Sequence, residues 1–76
     1  MPDEELSTPG RRLRFLRVAR GFKQVSLAAR LGTSQAAVSQ WESDKWLPAP
    51  HMQKLIAEEL GTTRLFLFGD RVAEVA

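Results

Sequence analysis

The sequence contains no cysteine, and this absence excludes disulfide bridges and thiolate metal sites, zinc fingers among them. It also contains no apolar run long enough to cross a bilayer. Residues 1–5 carry three acidic side chains, whereas a secretory signal peptide begins with positive charge. We therefore expect a soluble, cytoplasmic protein that does not enter a membrane.

Residues suited to catalysis are scarce as well. His51 is the only histidine, and its place near the start of a predicted helix favours a surface location. No Ser/His/Asp arrangement, inward pair of carboxylates or glycine-rich phosphate loop can be assembled, and we expect Glu58 and Glu59 to form a helix-surface pair. The sequence therefore predicts no enzyme, no cofactor and no metal site.

Acidic residues are missing from the whole span 6–41, although this span is rich in basic residues. The acids lie near the N-terminus and after Trp41. Charge of one sign over such a span is typical of a surface that binds a polyanion; charge that merely keeps a helix solvated is the alternative. The basic residues concerned are Arg11, Arg12, Arg14, Arg17, Arg20, Lys23 and Arg30.

The chain has 76 residues, 43% of them apolar, which predicts one small domain with a modest core. Apolar residues at helical spacing predict an all-α fold, a compact bundle of about five short helices. The apolar run after residue 63 fits a helical turn or a strand, and we favour the helix. The predicted helices cover residues 9–20, 24–31, 33–43, 50–60 and 64–68; a flexible acidic tail spans 1–8, the domain 9–69 and a C-terminal tail 70–76.

The segment 33–43 predicts a helix with two different faces, because successive side chains turn by about 100° along an α-helix. An amide side chain can bond adenine through two hydrogen bonds, and an alanine methyl can contact the methyl group of thymine. The uncharged face therefore suits the edge of a DNA base pair, with an ordinary solvated surface as the alternative. This face consists of Gln35, Ala36, Ser39 and Gln40, and the apolar face consists of Ala37, Val38 and Trp41.

Two short predicted helices joined by a tight turn, residues 24–31 and 34–42, have the pattern of a helix-turn-helix. The agreement extends beyond this pair, and over about residues 9–69 the chain resembles the Cro/phage-repressor (Xre-like) family of DNA-binding domains. The positions in register are Leu13, Leu16 and Arg17, the run Gly21-Phe22-Lys23-Gln24, then Leu27, Ala28, Leu31, Gly32, Val38, Ser39, Trp41, Glu42, Pro48, Ala57, Leu60 and Gly61.

The resemblance implies a transcriptional regulator of bacterial or phage origin, a repressor that binds a palindromic operator in double-stranded DNA as a homodimer. The third predicted helix, about residues 34–43, would lie in the major groove. The family pattern also implies a structural salt bridge between Arg17 and Glu42, and it places Gln24 where it can brace Gln35. The implied base contacts are Gln35, Ala36, Gln40, Ser39 and Ser34, and the implied phosphate contacts are Gln24, Lys23, Ser43 and Lys45.

The chain departs from the family pattern at four positions. Asp44 stands where glycine is usual, and it brings a negative charge close to the expected phosphates. Lys23 replaces the usual serine or threonine before the second helix, and Phe15 stands at a usually polar position. Trp46 is unusual in its loop; we expect it to pack on the following helix, the alternative being contact with the sugar–phosphate backbone.

Apolar residues beyond the needs of a small core predict a further interface. Phe15, Val18 and Ala19 form a second apolar stripe on the first helix, which we expect the C-terminal segment or another subunit to cover. These extra apolar residues would also suit a protein-interaction module, such as an antitoxin or an anti-repressor component, and this is the alternative function. The predicted dimer interface comprises Leu65, Phe66 and Phe68, with Phe15 as the alternative location.

Overall fold

A computed structural model describes the backbone of residues 2–75 and the side chains of residues 4–69. Over this part of the chain all regular structure is helical, as predicted, and no strand is present. None of the described helices combines the length and the apolarity that a membrane span needs. The helices are α1 (Pro2–Glu5), α2 (Pro9–Ala19), α3 (Gln24–Leu31), α4 (Gln35–Glu42), α5 (Pro50–Leu60) and α6 (Arg64–Val75).

The helix ends follow from local chemistry at the residues that flank them. Thr8 and Ser34 cap α2 and α4, because their side-chain oxygens accept hydrogen bonds from the backbone N–H groups of Arg11 and Ala37. Lys23 precedes α3 without a capping hydrogen bond from its side chain. Gly32 ends α3 with a φ of 72°, in the left-handed region where only glycine is free of steric penalty.

Both ends of the chain carry more helix than the sequence indicates. The short α1 lies within the predicted acidic tail, and α6 continues to Val75 instead of ending near Gly69. A glycine ends a helix by adopting a positive φ. Gly69 is not among the described glycines with a positive φ, and α6 continues through it. The choice of helix over strand for the run after residue 63 is confirmed. The proposed division into a domain and two tails stays a prediction.

The core lies between the facing sides of α2, α3, α4, α5 and α6. α2 packs against α4 and α6, α3 packs against α4 and α5, and α5 packs against α6. These packed faces bury one apolar stripe from each helix, which is the main stabilising term in a bundle of short helices. The core residues are Leu13, Leu27, Ala28, Leu31, Val38, Ile56, Ala57, Leu60, Leu67 and Phe68.

Candidate nucleic-acid interface

The helix α4 turns its apolar side inward and its uncharged polar side outward. Val38 is fully buried, and Trp41 is half-buried and packs against the core. On the opposite side, Gln35, Ala36 and Ser39 are exposed, and the neighbouring side chain of Gln40 is half-buried. The structure therefore brings the predicted base-contacting residues together on one accessible face.

The start of α4 is also open to a ligand. Ser34 is exposed, and its Oγ accepts a hydrogen bond of 3.1 Å from the backbone N–H of Ala37. Because the Oγ accepts in this bond, its own hydroxyl hydrogen stays available for donation. The N-terminus of α4 also carries a partial positive charge, so this end of the helix favours a negatively charged group.

A buried ion pair holds the other end of α4 to α2. The Arg17 Nε lies 2.5 Å from the Glu42 Oε2, and the Arg17 Nη2 donates to the Glu42 Oε1 at 3.0 Å. Both residues are 8% exposed, and the Arg17 Nη1 donates a further hydrogen bond of 2.8 Å to the carbonyl of Phe22. This two-pronged geometry satisfies both charges inside the protein, so neither residue is available to DNA.

The pair extends into a chain of hydrogen bonds that reaches the surface of α4. The Gln24 Nε2 donates to the Glu42 Oε1 at 3.0 Å, and the Gln24 Oε1 accepts from the Gln35 Nε2 at 3.5 Å. Gln24 thus stands between the buried carboxylate and an exposed residue of the outward face. The contact with Gln35 restricts the rotamers of that side chain, which orients its amide.

Asp44 has a role that the sequence did not indicate. Its backbone has a φ of 63°, which an aspartate tolerates better than most residues. Its carboxylate accepts hydrogen bonds from the backbone N–H of Gly10 at 2.8 Å and from the Thr8 Oγ1 at 2.6 Å. The negative charge therefore sits at the positive N-terminus of α2, where it is stabilised. The signal that the sequence offered for this contact was the lack of an acidic residue in the first turn of α2.

The close approach of α2 to the end of α4 requires a glycine. A Cβ atom added to Gly10 would lie 2.5 Å from the carbonyl oxygens of Trp41 and Glu42 and 2.8 Å from the Asp44 Oδ1. Such distances are far inside van der Waals contact, so any side chain here would push the two helices apart. Gly10 therefore belongs to the same junction as Asp44.

The loop after α4 is held against the end of the helix by hydrogen bonds to one carbonyl group. The Gln40 carbonyl accepts hydrogen bonds from the Ser43 Oγ at 3.1 Å, the Lys45 N–H at 3.0 Å and the Trp46 N–H at 3.4 Å. The side chains of Ser43 and Lys45 are exposed beside the end of α4. These two predicted phosphate-contacting residues therefore flank the uncharged face.

Most of the basic residues in the span 6–41 have structural partners. The Arg20 Nε donates to the carbonyl of Leu60 at 3.0 Å, and it thereby binds one of the last carbonyls of α5. Besides Arg17, described above, the other bonded members are Arg11 with Glu4, Arg12 with the carbonyls of Leu6 and Leu67, and Arg30 with Glu59. These partners fix where several of the basic side chains lie, and the polyanion-binding surface over the span stays a prediction.

Within residues 4–69 the basic side chains that make no such contact are Arg14, Lys23, Lys45 and Lys54. Lys23 lies just before α3, and Lys45 lies in the loop after α4; both side chains are exposed. Arg14 is exposed on α2. The remaining positive charge near α4 thus comes from two lysines and the N-termini of α3 and α4.

Two predictions about apolar side chains need correction. Phe68 is 1% exposed and lies in the core, so its place in the dimer interface is wrong; helical spacing in α6 turns it inward with Leu67. Leu65 and Phe66 fall on the outer side of α6 and are 76% and 44% exposed. Trp46 is 58% exposed, so it does not pack on α5 as expected.

The second apolar stripe of α2 also stays open. Phe15, Val18 and Ala19 are all exposed, so no described side chain of this chain covers them fully. Coverage by the C-terminal segment is therefore not seen among residues 4–69. Coverage by another subunit stays a prediction.

Comparison with known protein families gives one result. The sequence model of the helix-turn-helix family matches residues 13–67, most of α2 through the first turn of α6. The matched range contains α4, Gln24, the ion pair and the loop after α4. No curated protein and no solved structure matches the chain at a significant level.

Proposed function

We propose a function from one premise: the chain belongs to the helix-turn-helix family of the Cro/C1 type and is a DNA-binding regulator. The proposal is that it binds a palindromic operator in double-stranded DNA as a homodimer, inserts α4 into the major groove and represses transcription. The observation that supports it is the outward face of α4, which is uncharged and accessible. The opposite side of the helix is anchored by the buried Val38 and by the ion pair between Arg17 and Glu42. A cytoplasmic location follows from this role.

The outward face supplies sequence preference without strong electrostatic attraction. Gln35 and Gln40 each offer a donor and an acceptor, which is the pair that adenine bonds in the major groove. Ala36 offers a methyl group for contact with thymine, and Ser34 and Ser39 offer hydroxyls near the same groove. The long contact of 3.5 Å with Gln24 favours one orientation of the exposed Gln35 amide.

Binding strength must then come from the groups around that face. Lys23, just before α3, and Lys45, in the loop after α4, supply positive charge, and Ser43 supplies a hydroxyl. Gln24 retains one amide hydrogen for a phosphate beyond its bond to Glu42, and the N-terminus of α3 favours the same anion. These groups set the helix in the groove, and the face of α4 selects the bases.

The dimer contact is proposed on the outer side of α6. Leu65 and Phe66 are neighbours in sequence, exposed and large, and their burial between two copies would remove apolar area from water. Phe15 on α2 is the alternative location. A two-fold dimer would present two copies of α4, which matches the symmetry of a palindrome.

Selection of binding sites from random DNA, followed by titration at two salt concentrations, tests the proposal. A dimer that contacts about 6–10 phosphates loses roughly 10³–10⁵ in affinity between 50 and 200 mM salt. In the Gln35→Ala variant, affinity for the selected site should fall about 5- to 150-fold, whereas affinity for random DNA should hardly change. The comparison variant Lys45→Ala should weaken both by similar factors. Equal loss on selected and random DNA for Gln35→Ala would contradict the assignment.

A further inference from the structure

The loop after α4 exposes a large aromatic residue that the fold does not use. Trp46 is 58% exposed, and its neighbour Leu47 is also exposed. Together with Asp44 and Lys45 they line a shallow recess of about 200 Å³. An indole ring is a large apolar surface, and leaving it in water beside a lysine has no benefit for the stability of this chain.

The position of Trp46 relative to α4 is fixed by the backbone. The N–H groups of Lys45 and Trp46 both donate to the carbonyl of Gln40, which is itself a residue of the uncharged face. Asp44 anchors the same loop to the start of α2 through Gly10 and Thr8. Trp46 is therefore held at a defined place next to the C-terminal end of α4.

When α4 occupies the major groove, the dimensions of DNA indicate which part of the DNA lies next to Trp46. The major groove is about 12 Å wide and an α-helix with its side chains is about 10–12 Å across, so the helix fills the groove. A loop that leaves the end of such a helix meets the wall of the groove, which consists of sugars and phosphates. The recess offers this wall an ammonium group from Lys45 and an apolar ring from Trp46.

We propose that Trp46 is a DNA-contacting residue whose indole ring packs on a deoxyribose, next to the phosphate that Lys45 binds. This inference rests on the proposed function, since it needs α4 in the major groove. The ring covers the apolar face of the sugar, and the charge of the phosphate is met by the lysine. The hydrogen bonds of the Asp44 carboxylate at the N-terminus of α2 weaken its repulsion of the phosphate, although Asp44 also lines the recess. The contact adds affinity on every DNA sequence, because the sugar is the same at each position.

Binding titrations of the intact chain test this assignment. Trp46→Ala should weaken binding to selected and random DNA alike by about tenfold for each ring that contacts DNA, because the packing of roughly half of that ring's exposed apolar area on the sugar is lost. The slope of log affinity against log salt should stay unchanged, because the indole carries no charge. Lys45→Ala should reduce the slope by about 0.9 for each phosphate that the lysine neutralises in the wild type. Trp46→Phe should keep most of the affinity.

A matched control and a spectroscopic measurement complete the test. Leu55 is 43% exposed on α5, so Leu55→Ala removes an exposed apolar side chain away from the proposed interfaces and should leave DNA affinity unchanged. DNA should protect the wild-type fluorescence from quenching by acrylamide, and it should give little protection in Trp46→Phe, which retains only Trp41.

Three results would overturn the inference. One is full DNA affinity of Trp46→Ala. Another is a change in the sedimentation of DNA-free Trp46→Ala, which would place the ring between two copies of the chain. Failure of the wild-type protein to bind any DNA would overturn the proposed function together with this inference, whereas the first two results leave the proposed function intact.

Discussion

Replacing Asp44 by glycine, the residue usual at this position in the family, should destabilise the protein. Glycine would relieve the left-handed backbone, at φ 63°, and this relief is worth about 1 kcal/mol. Glycine also makes the unfolded chain more flexible, which costs about 0.5–1 kcal/mol, so the two backbone effects nearly cancel. The net change in stability therefore comes from the loss of the carboxylate that binds Gly10 and Thr8.

The two hydrogen bonds to that carboxylate set the size of the effect. A hydrogen bond to a charged group contributes about 1.5–3 kcal/mol when it is well shielded, but Asp44 is exposed and water competes for its oxygens. We therefore expect the free energy of unfolding of Asp44→Gly to fall by about 1–2 kcal/mol. For a domain of this size the unfolding midpoint falls by roughly 4–8 °C per kcal/mol.

Thermal unfolding followed by circular dichroism measures this change. Asp44→Asn should lie between the wild type and Asp44→Gly, because its amide oxygen still accepts from the N–H of Gly10. Thr8→Ala should cost less in the Asp44→Gly background than in the wild type, since one partner of the threonine is already gone. An Asp44→Gly protein that melts at or above the wild-type temperature would refute the capping role, because backbone relief alone would then account for the result.

Two further predictions concern the ion pair and the proposed dimer. Glu42→Gln and Arg17→Met should each lower the free energy of unfolding by about 3–5 kcal/mol in urea titrations, because each leaves one buried partner uncompensated. Unchanged stability with lost DNA affinity would instead move Arg17 into the DNA interface. Phe66→Asp should leave the fold intact and convert a dimer to a monomer in sedimentation experiments, whereas Phe68→Asp should unfold the protein. A Phe66→Asp dimer would place the interface elsewhere, with Phe15 as the next candidate.

The features that local sequence determines were predictable. Apolar spacing and capping residues identified α2, α3, α4 and α5 within about two residues, because helix formation and capping depend on neighbours in the chain. The division of α4 into two faces followed from the same periodicity. The run at 65–68 was harder, since four consecutive apolar residues do not show which of them turn inward. Phe68 was misplaced for this reason.

Contacts between distant residues were not predictable from spacing alone. Asp44 and Gly10 are 34 positions apart, and the lack of an acidic residue in the first turn of α2 does not show which distant carboxylate takes that place. The sequence places Arg20 and Arg30 in the basic span 6–41, but it does not indicate that their partners Leu60 and Glu59 lie on α5. The link between Arg17 and Glu42 was expected only because the chain resembles a known family. Long-range polar pairing depends on the packed fold, which local patterns do not encode.

The eight residues of α4 carry two sets of side chains, one that anchors the helix to the core and one that faces outward. Val38 and Glu42 face inward and hold the helix, whereas Ala36, Ser39 and Gln40 make no side-chain hydrogen bond within the described residues. Gln35 makes one such bond, to Gln24. The outward set can therefore be exchanged with little effect on folding, provided that position 35 remains compatible with Gln24. In such a framework new DNA preferences can arise by a few surface substitutions, and each variant inherits a stable fold.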